Sequence, residues 1–164
     1  MGLKERKNKG FSLVELIIVI AIMAVLVAVM VPMLLHFIEK SKVSSDTQLA
    51  DTVRGAFLCA VTDAKVLSDP DSAPFITQLE TAAGMDADDS TFRTTPSVMR
   101  DSVEEIIGVS LSTLNSNIKS AHDPSAKFHI RAEGGNIIVT ITATDKTGRK
   151  DKSTNTPAND ITVD

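Results

Sequence analysis

An unbroken apolar run dominates the N-terminal part of the chain. Every residue from 16 to 35 is apolar, and the run contains one proline, Pro32, but no charged or hydroxyl side chain. At 1.5 Å per residue, about 20 helical residues span about 30 Å, the thickness of a bilayer hydrocarbon core. The pattern therefore predicts a membrane-spanning helix, with a kink or local melting near Pro32 because proline lacks a backbone donor.

A second helical pattern follows the apolar run. Between residues 43 and 64 the apolar side chains recur every three or four positions, and polar residues fill the other positions. This spacing gives a helix one apolar face. The sequence Ser-Asp-Pro-Asp at residues 68–71 ends the pattern. We therefore predict one helix over residues 11–67, whose outer half packs beneath the rest of the chain, with Gly55 and Cys59 as parts of that packing.

Residues 72–120 predict short helices joined by loops. One helix is expected over residues 74–83 and a second over residues 96–107, each between a proline or cap and a glycine stop. One or two further turns are expected at residues 111–118, where leucine and isoleucine recur. The boundary residues are Gly84 for the first helix and Thr95, Pro96 and Gly108 for the second.

The C-terminal part changes to a period of two. Residues 127–131 alternate, residues 134–136 read Gly-Gly-Asn, and residues 137–142 are β-branched throughout. This order is typical of a β-hairpin. A second turn is expected at residues 145–148, and residues 161–163 are expected to add an edge strand. The predicted fold class is α+β, with a long N-terminal helix and a small C-terminal antiparallel β-sheet.

Charge gives the predicted anchor an orientation. The formal net charge of the 164 residues is -4, and the first ten residues carry +3, which leaves -7 for the remainder. Basic residues before a first apolar helix stay in the cytoplasm, so the acidic remainder is expected on the far side of the membrane. A secretory signal would have a shorter apolar region, of about 7 to 15 residues. A plain single-pass anchor explains the run but not Glu15.

Glu15 places a carboxylate at the entry to the apolar run. An unpaired charge there costs at least about 2.5 kcal/mol on lenient insertion scales, and less near the interface. Solvation by lipid headgroups is one interpretation. In the other, cleavage between Gly10 and Phe11 creates an amine one helical turn before Glu15, and this amine pairs with the Glu15 of a neighbouring copy. Such a buried pair fixes register more than it stabilises.

Residues 9–15, Lys-Gly-Phe-Ser-Leu-Val-Glu, and the apolar run after them resemble the prepilin motif of type IV pilins, competence pilins and type II secretion pseudopilins. The resemblance implies that a membrane protease cuts between Gly10 and Phe11 and methylates the new amine of Phe11. It also implies that Glu15 sets subunit register and that Pro32 occupies the helix-kinking position. It covers the leader and the hydrophobic helix and becomes weak beyond them.

The same resemblance implies an organisation of four segments. These are a leader at residues 1–10, a membrane-spanning and filament-core half-helix at 11–38, an amphipathic outer half at 39–67 and an extracytoplasmic head at 68–164. The implied function is that of a structural subunit, a major or minor type IV pilin, anchored by one span in the cell membrane and then polymerised into a surface pilus. The implied partners are the prepilin peptidase and methyltransferase, other pilin subunits, the inner-membrane assembly platform and membrane lipids.

Two alternatives remain open at the level of sequence. One is a pseudopilin of a type II secretion or competence system, and the other is a single-pass anchored binding domain that never polymerises. Classical pilins often have a disulfide near the C-terminus, whereas this chain has one cysteine, Cys59, which we interpret as a small buried side chain. A pilin of a Gram-positive organism or a pseudopilin therefore fits better than a disulfide-looped pilin.

Enzymatic and metal-dependent functions have little support in the sequence. The histidines are scattered along the chain and no nucleophile motif accompanies them, so we predict no catalytic residue and no cofactor. The acidic residues 86–90 lack the glycine turn and distant glutamate of an EF-hand loop, so we interpret them as a solvated loop and predict no metal site. The histidines are His36, His122 and His129.

Nucleic-acid binding is a weaker interpretation of one basic stretch. This stretch lies beside the turn expected at residues 145–148, and no aromatic residue interleaves with it. Because the chain after the leader is acidic, a solvated loop is the preferred interpretation. The basic residues are Lys146, Arg149, Lys150 and Lys152.

Overall fold

The computed structural model describes residues 10–120, 126–143 and 161–164. The chain divides into two compact units, Met1–Ile38 and Glu39–Asp164. Several sequence predictions concern positions outside the described residues. These are the leader before Gly10, the turn at 145–148, His122, and the basic residues Lys146, Arg149, Lys150 and Lys152.

The first helix, α1, comprises Leu13–Thr62 and contains Pro32. The helix continues through Pro32 without interruption, so the local melting expected there is absent. The expected extension to residue 67 is wrong as well. Asp63 has extended backbone and its side chain accepts a hydrogen bond from the Lys65 backbone N–H at 2.9 Å. This cap starts a separate short helix, α2 (Ala64–Leu67), because aspartate at an N-cap competes with helix continuation.

Four further helices follow, separated by turns. The first, α3 (Ala73–Leu79), is shorter than the helix predicted to close at Gly84. The helix α4 (Ser90–Thr94) was not predicted, and it starts at an aspartate cap within the acidic segment. The helix α5 (Val98–Ile107) confirms the second predicted helix. The helix α6 (Leu111–Leu114) and a 3-10 turn, Asn115–Asn117, confirm the short turns expected after it.

The boundaries of α5 show which local signals were decisive. Its N-cap is Ser97, whose hydroxyl accepts a hydrogen bond from the Arg100 N–H at 3.2 Å. Thr95 instead ends α4, so its predicted role as the cap of α5 is wrong. Ser97 stands directly before the first turn of the helix, where a side-chain oxygen reaches the free N–H groups. Gly108 ends α5 in the left-handed conformation, with φ of 76°, as predicted.

The sheet has four antiparallel strands in the order β1-β2-β3-β4. The central hairpin pairs Glu133 with Asn136 across a two-residue loop, in which Gly134 and Gly135 both have positive φ. This is the loop geometry that twists two strands into register, and it confirms the predicted hairpin. The C-terminal edge strand is confirmed too. The strands are β1 (Met85–Asp86), β2 (Ala126–Glu133), β3 (Asn136–Ala143) and β4 (Ile161–Val163).

One hydrophobic core joins the outer half of α1 to the sheet and the short helices. The helix contributes a buried stripe at three- and four-residue spacing, and the sheet contributes the inward side of β2 and β3. Three phenylalanines connect α1 to the short helices α3 and α4, since the Phe92 ring lies 6.0 Å from Phe57 and 4.9 Å from Phe75. The Arg54 Nε atom donates to the Ile137 carbonyl at 3.1 Å and ties α1 to β3. The α+β class is confirmed.

Cys59 and Gly55 do not belong to that core. Cys59 is exposed, and a Cβ atom at Gly55 would meet nothing within 4 Å. The buried stripe of α1 runs through Val53, Ala56 and Ala60. Positions 55 and 59, one turn apart, lie on another side of the helix and face away from the stripe. Our interpretation of both residues as packing elements is therefore wrong.

Candidate functional site

The candidate site begins where the backbone enters α1. Gly10, Phe11 and Ser12 are exposed and non-helical, and Phe11 is 92% exposed. A Cβ atom at Gly10 would meet nothing within 4 Å, so packing within the described chain does not demand glycine there. The peptide bond between Gly10 and Phe11 is thus in open backbone directly before a helix.

Glu15 accepts a hydrogen bond at the start of this helix. Its Oε2 atom lies 2.8 Å from the backbone nitrogen of Ser12, and the Ser12 carbonyl accepts from the Leu16 N–H at 3.2 Å. This is half of a capping box, in which an acidic residue at the third helical position satisfies the N–H of the capping residue. The Ser-x-x-Glu spacing was present in the sequence, and reasoning about charge alone missed Ser12.

The Glu15 carboxylate has this capping bond but no cationic partner within residues 10–120, 126–143 and 161–164. Carboxylates near a helix N-terminus gain about 0.3–1 kcal/mol from the helix dipole, which is small beside the cost of taking a charge into an apolar setting. A cation from outside the described chain would therefore find an unoccupied partner at Glu15.

The helix after Glu15 presents an apolar surface on every side. Large apolar side chains between Phe11 and Ile38 range from 42% exposed at Ile38 to 92% at Phe11. This part of α1 is long and apolar enough to cross a membrane. Its most hydropathic stretch of 18 residues has no buried residue. Exposed apolar surface on this scale indicates contact with lipid or with other apolar helices. Pro32 lies within this surface and is exposed itself.

The acidic segment is engaged in ion pairs and caps, so its interpretation as a solvated loop is wrong. Asp86 lies in β1, and its Oδ1 atom is 2.9 Å from Nδ1 of His129. The Lys127 ammonium lies 3.7 Å from Asp86 and 3.5 Å from Asp88. Asp89 accepts from two N–H groups as the cap of α4. The basic partners come from β2, about 40 residues away in the chain, and no local pattern reveals them.

The other candidates for chemistry remain separate. His36 lies in the apolar unit, and His129 pairs with Asp86 in the sheet. Within residues 10–120, 126–143 and 161–164, no group of three or more His, Cys, Asp or Glu side chains has the proximity that a metal ion requires. Gly10, Phe11 and Glu15 place an exposed peptide bond and a carboxylate within six residues of each other, at the start of an apolar helix.

Comparison with protein families gives one match. The family model described as the prokaryotic N-terminal methylation motif matches residues 6–31. The matched range contains Gly10, Phe11, Ser12 and Glu15 and most of the apolar run. No curated protein and no solved structure matches the chain. The match therefore concerns the N-terminal segment. The rest of the chain is described only by the helices and the sheet of its own structure.

Proposed function

We propose that this chain, which carries the N-terminal signal of prepilins and pseudopilins and has a pilin-like α+β architecture, is the precursor of a structural pilus subunit, a major or minor type IV pilin. The observation that carries the proposal is the position of the motif at the head of an exposed apolar helix. A soluble domain has no use for such a surface, whereas a subunit that moves from lipid into a filament needs it. The proposed role is structural and not enzymatic.

Processing is proposed to occur between Gly10 and Phe11. A prepilin peptidase would hydrolyse this bond, remove the leader of residues 1–10 and methylate the new amine of Phe11. The open, non-helical backbone around the bond supports the proposal because a protease binds its substrate in an extended form. The basic leader would hold the bond at the cytoplasmic face of the membrane.

Glu15 is proposed to set the register between subunits. Its Oε2 atom accepts from Ser12 within the chain, and the carboxylate has further lone pairs that would accept from the Phe11 amine of a neighbour. The same side chain would then cap its own helix and neutralise the charge of the next subunit. In an apolar filament core this pairing would neutralise two charges. Because the two groups meet at only one relative position of the helices, the pair would fix the register between subunits.

The half-helix of residues 11–38 is proposed to serve as an anchor first and as filament core later. Before assembly it would hold the subunit in the cell membrane as a single span, and after assembly it would pack against the same segment of other subunits. Pro32 is proposed to introduce flexibility because its nitrogen cannot donate to the preceding turn. The assembly platform of the inner membrane would extract the processed subunit, and the filament would extend from the cell surface.

The remaining segments are proposed to form the outside of the filament. The outer half of the helix, residues 39–67, supplies the buried stripe on which the sheet and short helices of residues 68–164 pack. Loops on this outer part would carry the specific role of the filament, since loops on a rigid scaffold are where binding residues concentrate. Nucleic acid is a weaker candidate ligand because the chain after the leader is acidic and no aromatic residue interleaves with Lys146, Arg149, Lys150 and Lys152.

A pseudopilin is the second candidate, because the same N-terminal signal serves pseudopilins of secretion and competence systems. Cys59 is exposed, and as the chain's one cysteine it cannot form the internal disulfide of classical pilins. The third candidate is an anchored domain that never polymerises. It shares the apolar helix and the cap that Glu15 forms with Ser12, but it gives the charge of Glu15 no pairing role.

Imaging separates these candidates. Cells expressing the chain would be labelled with an antibody to the head and examined by electron microscopy, with cells lacking the gene as the control. Labelled filaments that extend from the surface are expected for a pilin. Short filaments confined to the cell envelope would indicate a pseudopilin, and label dispersed over the membrane without filaments would contradict both polymerising functions.

A further inference from the structure

An open cavity of about 360 Å³ lies in the unit Glu39–Asp164, between the outer half of α1 and the segment of the 3-10 turn. The groups that line it are two hydroxyls, an amide, an ammonium and one leucine side chain. The Ser116 hydroxyl donates to the Thr113 carbonyl at 2.6 Å, so the hydroxyl of Ser45, the amide and the ammonium are the groups that can donate to a ligand with oxygen acceptors. The lining residues are Ser45, Leu49, Ser116, Asn117 and Lys119.

A buried carboxylate fixes the geometry of this cavity. Asp46 is 1% exposed, and its oxygens accept from the backbone N–H groups of Lys119 at 2.9 Å and Ser120 at 2.7 Å. An aspartate buried without such bonds would be costly, so the bonds hold the Lys119 segment firmly against α1. Asp46 is thus a positioning residue. It places Lys119 beside a helix that lies 73 residues earlier in the chain.

Lys119 points its ammonium group toward the helix side of the cavity. Its Nζ atom donates to the Ser45 hydroxyl oxygen at 3.2 Å. This bond uses one of the three N–H donors of the ammonium group. Because Ser45 accepts this bond, its own hydroxyl hydrogen is directed elsewhere. An anion in the cavity would receive hydrogen bonds from Lys119 and Ser45, and from the amide of Asn117, which also lines it.

Two more lysines precede the cavity along α1. Lys40 is exposed, and Lys42 lies one helical turn before Ser45, where it pairs with Glu39 at 3.8 Å. In the chain they follow Ile38, the last residue of the apolar unit, by two and four positions. Lysines placed this soon after a membrane span extend their ammonium groups into the lipid headgroup layer.

We propose that this cavity binds the phosphate of an anionic phospholipid headgroup while the subunit is anchored in the membrane. The phosphate would accept hydrogen bonds from Lys119, Ser45 and Asn117, with Lys42 as a nearby countercharge. The inference rests on the membrane-anchored stage of the proposed function. The lipid contact would be exchanged for contacts with protein when the subunit leaves the bilayer.

Lysine footprinting of the full chain in vesicles tests the proposal. The chain is inserted into vesicles of phosphatidylcholine alone or of phosphatidylcholine mixed with phosphatidylglycerol, and a neutral water-soluble acylating reagent is applied. We expect the modification of Lys119 and Lys42 to slow about fivefold in the anionic vesicles, the factor for attraction of one lysine to an anionic surface. Lys65 and Lys127 should be modified at equal rates in both. Equal rates at Lys119, or equal slowing of all four lysines, would overturn the proposal.

A matched pair of variants distinguishes the cavity from general surface charge. Asn117→Asp adds a negative charge at the cavity and should abolish the protection of Lys119, whereas Asn136→Asp adds the same charge at the exposed hairpin and should leave it unchanged. Loss of protection in both variants, or in neither, contradicts a headgroup site.

Two further arms distinguish the occupant. Soluble glycerol 3-phosphate is added to phosphatidylcholine vesicles, and equal protection there would assign the cavity to a free anion. Protection that appears in phosphatidylcholine with increasing subunit density would assign it to a second copy. Either result overturns the lipid proposal. The footprint concerns inserted subunits before any filament forms. The lipid proposal can therefore fail while the pilin function holds, and the pilin function can fail while the lipid proposal holds.

Discussion

Glu15 accepts a capping bond from Ser12, and no cation among the described residues pairs with its charge. The bond at 2.8 Å satisfies one lone pair and helps the helix to start at Leu13. Electrostatic neutralisation is a separate requirement, since the residues that follow are apolar and exposed. The capping and pairing roles of one carboxylate can be separated experimentally, because a glutamine retains the acceptor oxygen but not the charge.

Comparing Glu15→Ala with Glu15→Gln separates these roles. Removing one partner of a buried ion pair costs about 3–5 kcal/mol, so we expect both variants to lose their leader but to form few filaments. Leader removal is followed by the mass of the membrane-bound protein, and filaments are counted by microscopy. If Glu15→Gln assembles normally while Glu15→Ala does not, capping and not charge is what assembly requires, and the pairing role is wrong.

Asp69 connects the starts of α3 and α5 through its carboxylate. It accepts from the Ser72 hydroxyl and from the Val98 N–H at 2.9 Å, and the Ser72 oxygen in turn accepts from the Met99 N–H at 3.1 Å. The hydrogen bond from Ser72, followed by that from Val98, holds the pKa of Asp69 below its ordinary value. These bonds therefore favour the charged form in the folded state.

A pH dependence follows from this lowered pKa. A carboxyl whose pKa is lowered by folding stabilises the folded state at pH values above its unfolded-state pKa of about 4. This stabilisation is lost as the pH falls through the pKa of the folded state. We expect wild type to exceed Asp69→Asn in unfolding free energy at neutral pH, and the difference to shrink below about pH 4. Asp71→Asn, at an exposed neighbour, is the control. A difference that is constant from pH 7 to pH 2, measured by urea unfolding in detergent, would exclude the linkage.

At the scale of elements, the sequence predicted what depends on neighbouring residues. The hairpin follows from two glycines between an alternating run and a β-branched run, and the end of α5 follows from Gly108. The strand β1 was not predictable because two residues form it, and its partners, His129 and Lys127, are distant in the chain. The exposed side of Cys59 follows from the phase of the buried stripe on α1, which residue type alone does not reveal.

Two glycines with the same backbone conformation test how closely β1 is packed. Gly84 and Gly134 have φ of 60° and 61°, but a Cβ at Gly84 would lie 2.5 Å from the Ile130 carbonyl oxygen, whereas at Gly134 it would meet nothing within 4 Å. We expect Gly134→Ala to cost about 1–2 kcal/mol from left-handed strain alone. Gly84→Ala should cost about 1–3 kcal/mol more because the backbone must shift. Equal unfolding free energies for the two variants would contradict this packing of β1.

At the scale of the whole molecule, the two units require different surroundings. The unit Glu39–Asp164 has its own hydrophobic core, which buries most of the large apolar side chains among its described residues. The apolar unit exposes its side chains throughout and needs lipid or other helices. The N-terminal methylation motif at residues 6–31 overlaps most of this apolar segment, in agreement with the proposed passage of the helix from membrane to filament core.

The mass of the mature protein tests this account most directly. The protein is purified from the membranes of cells that contain the processing enzyme, and its intact mass is compared with that from cells lacking the enzyme. We expect the first sample to begin at Phe11 with one methyl group on its amine, and the second to retain residues 1–10. A protein that keeps Met1 to Gly10 in both samples would contradict the assignment as a pilin precursor.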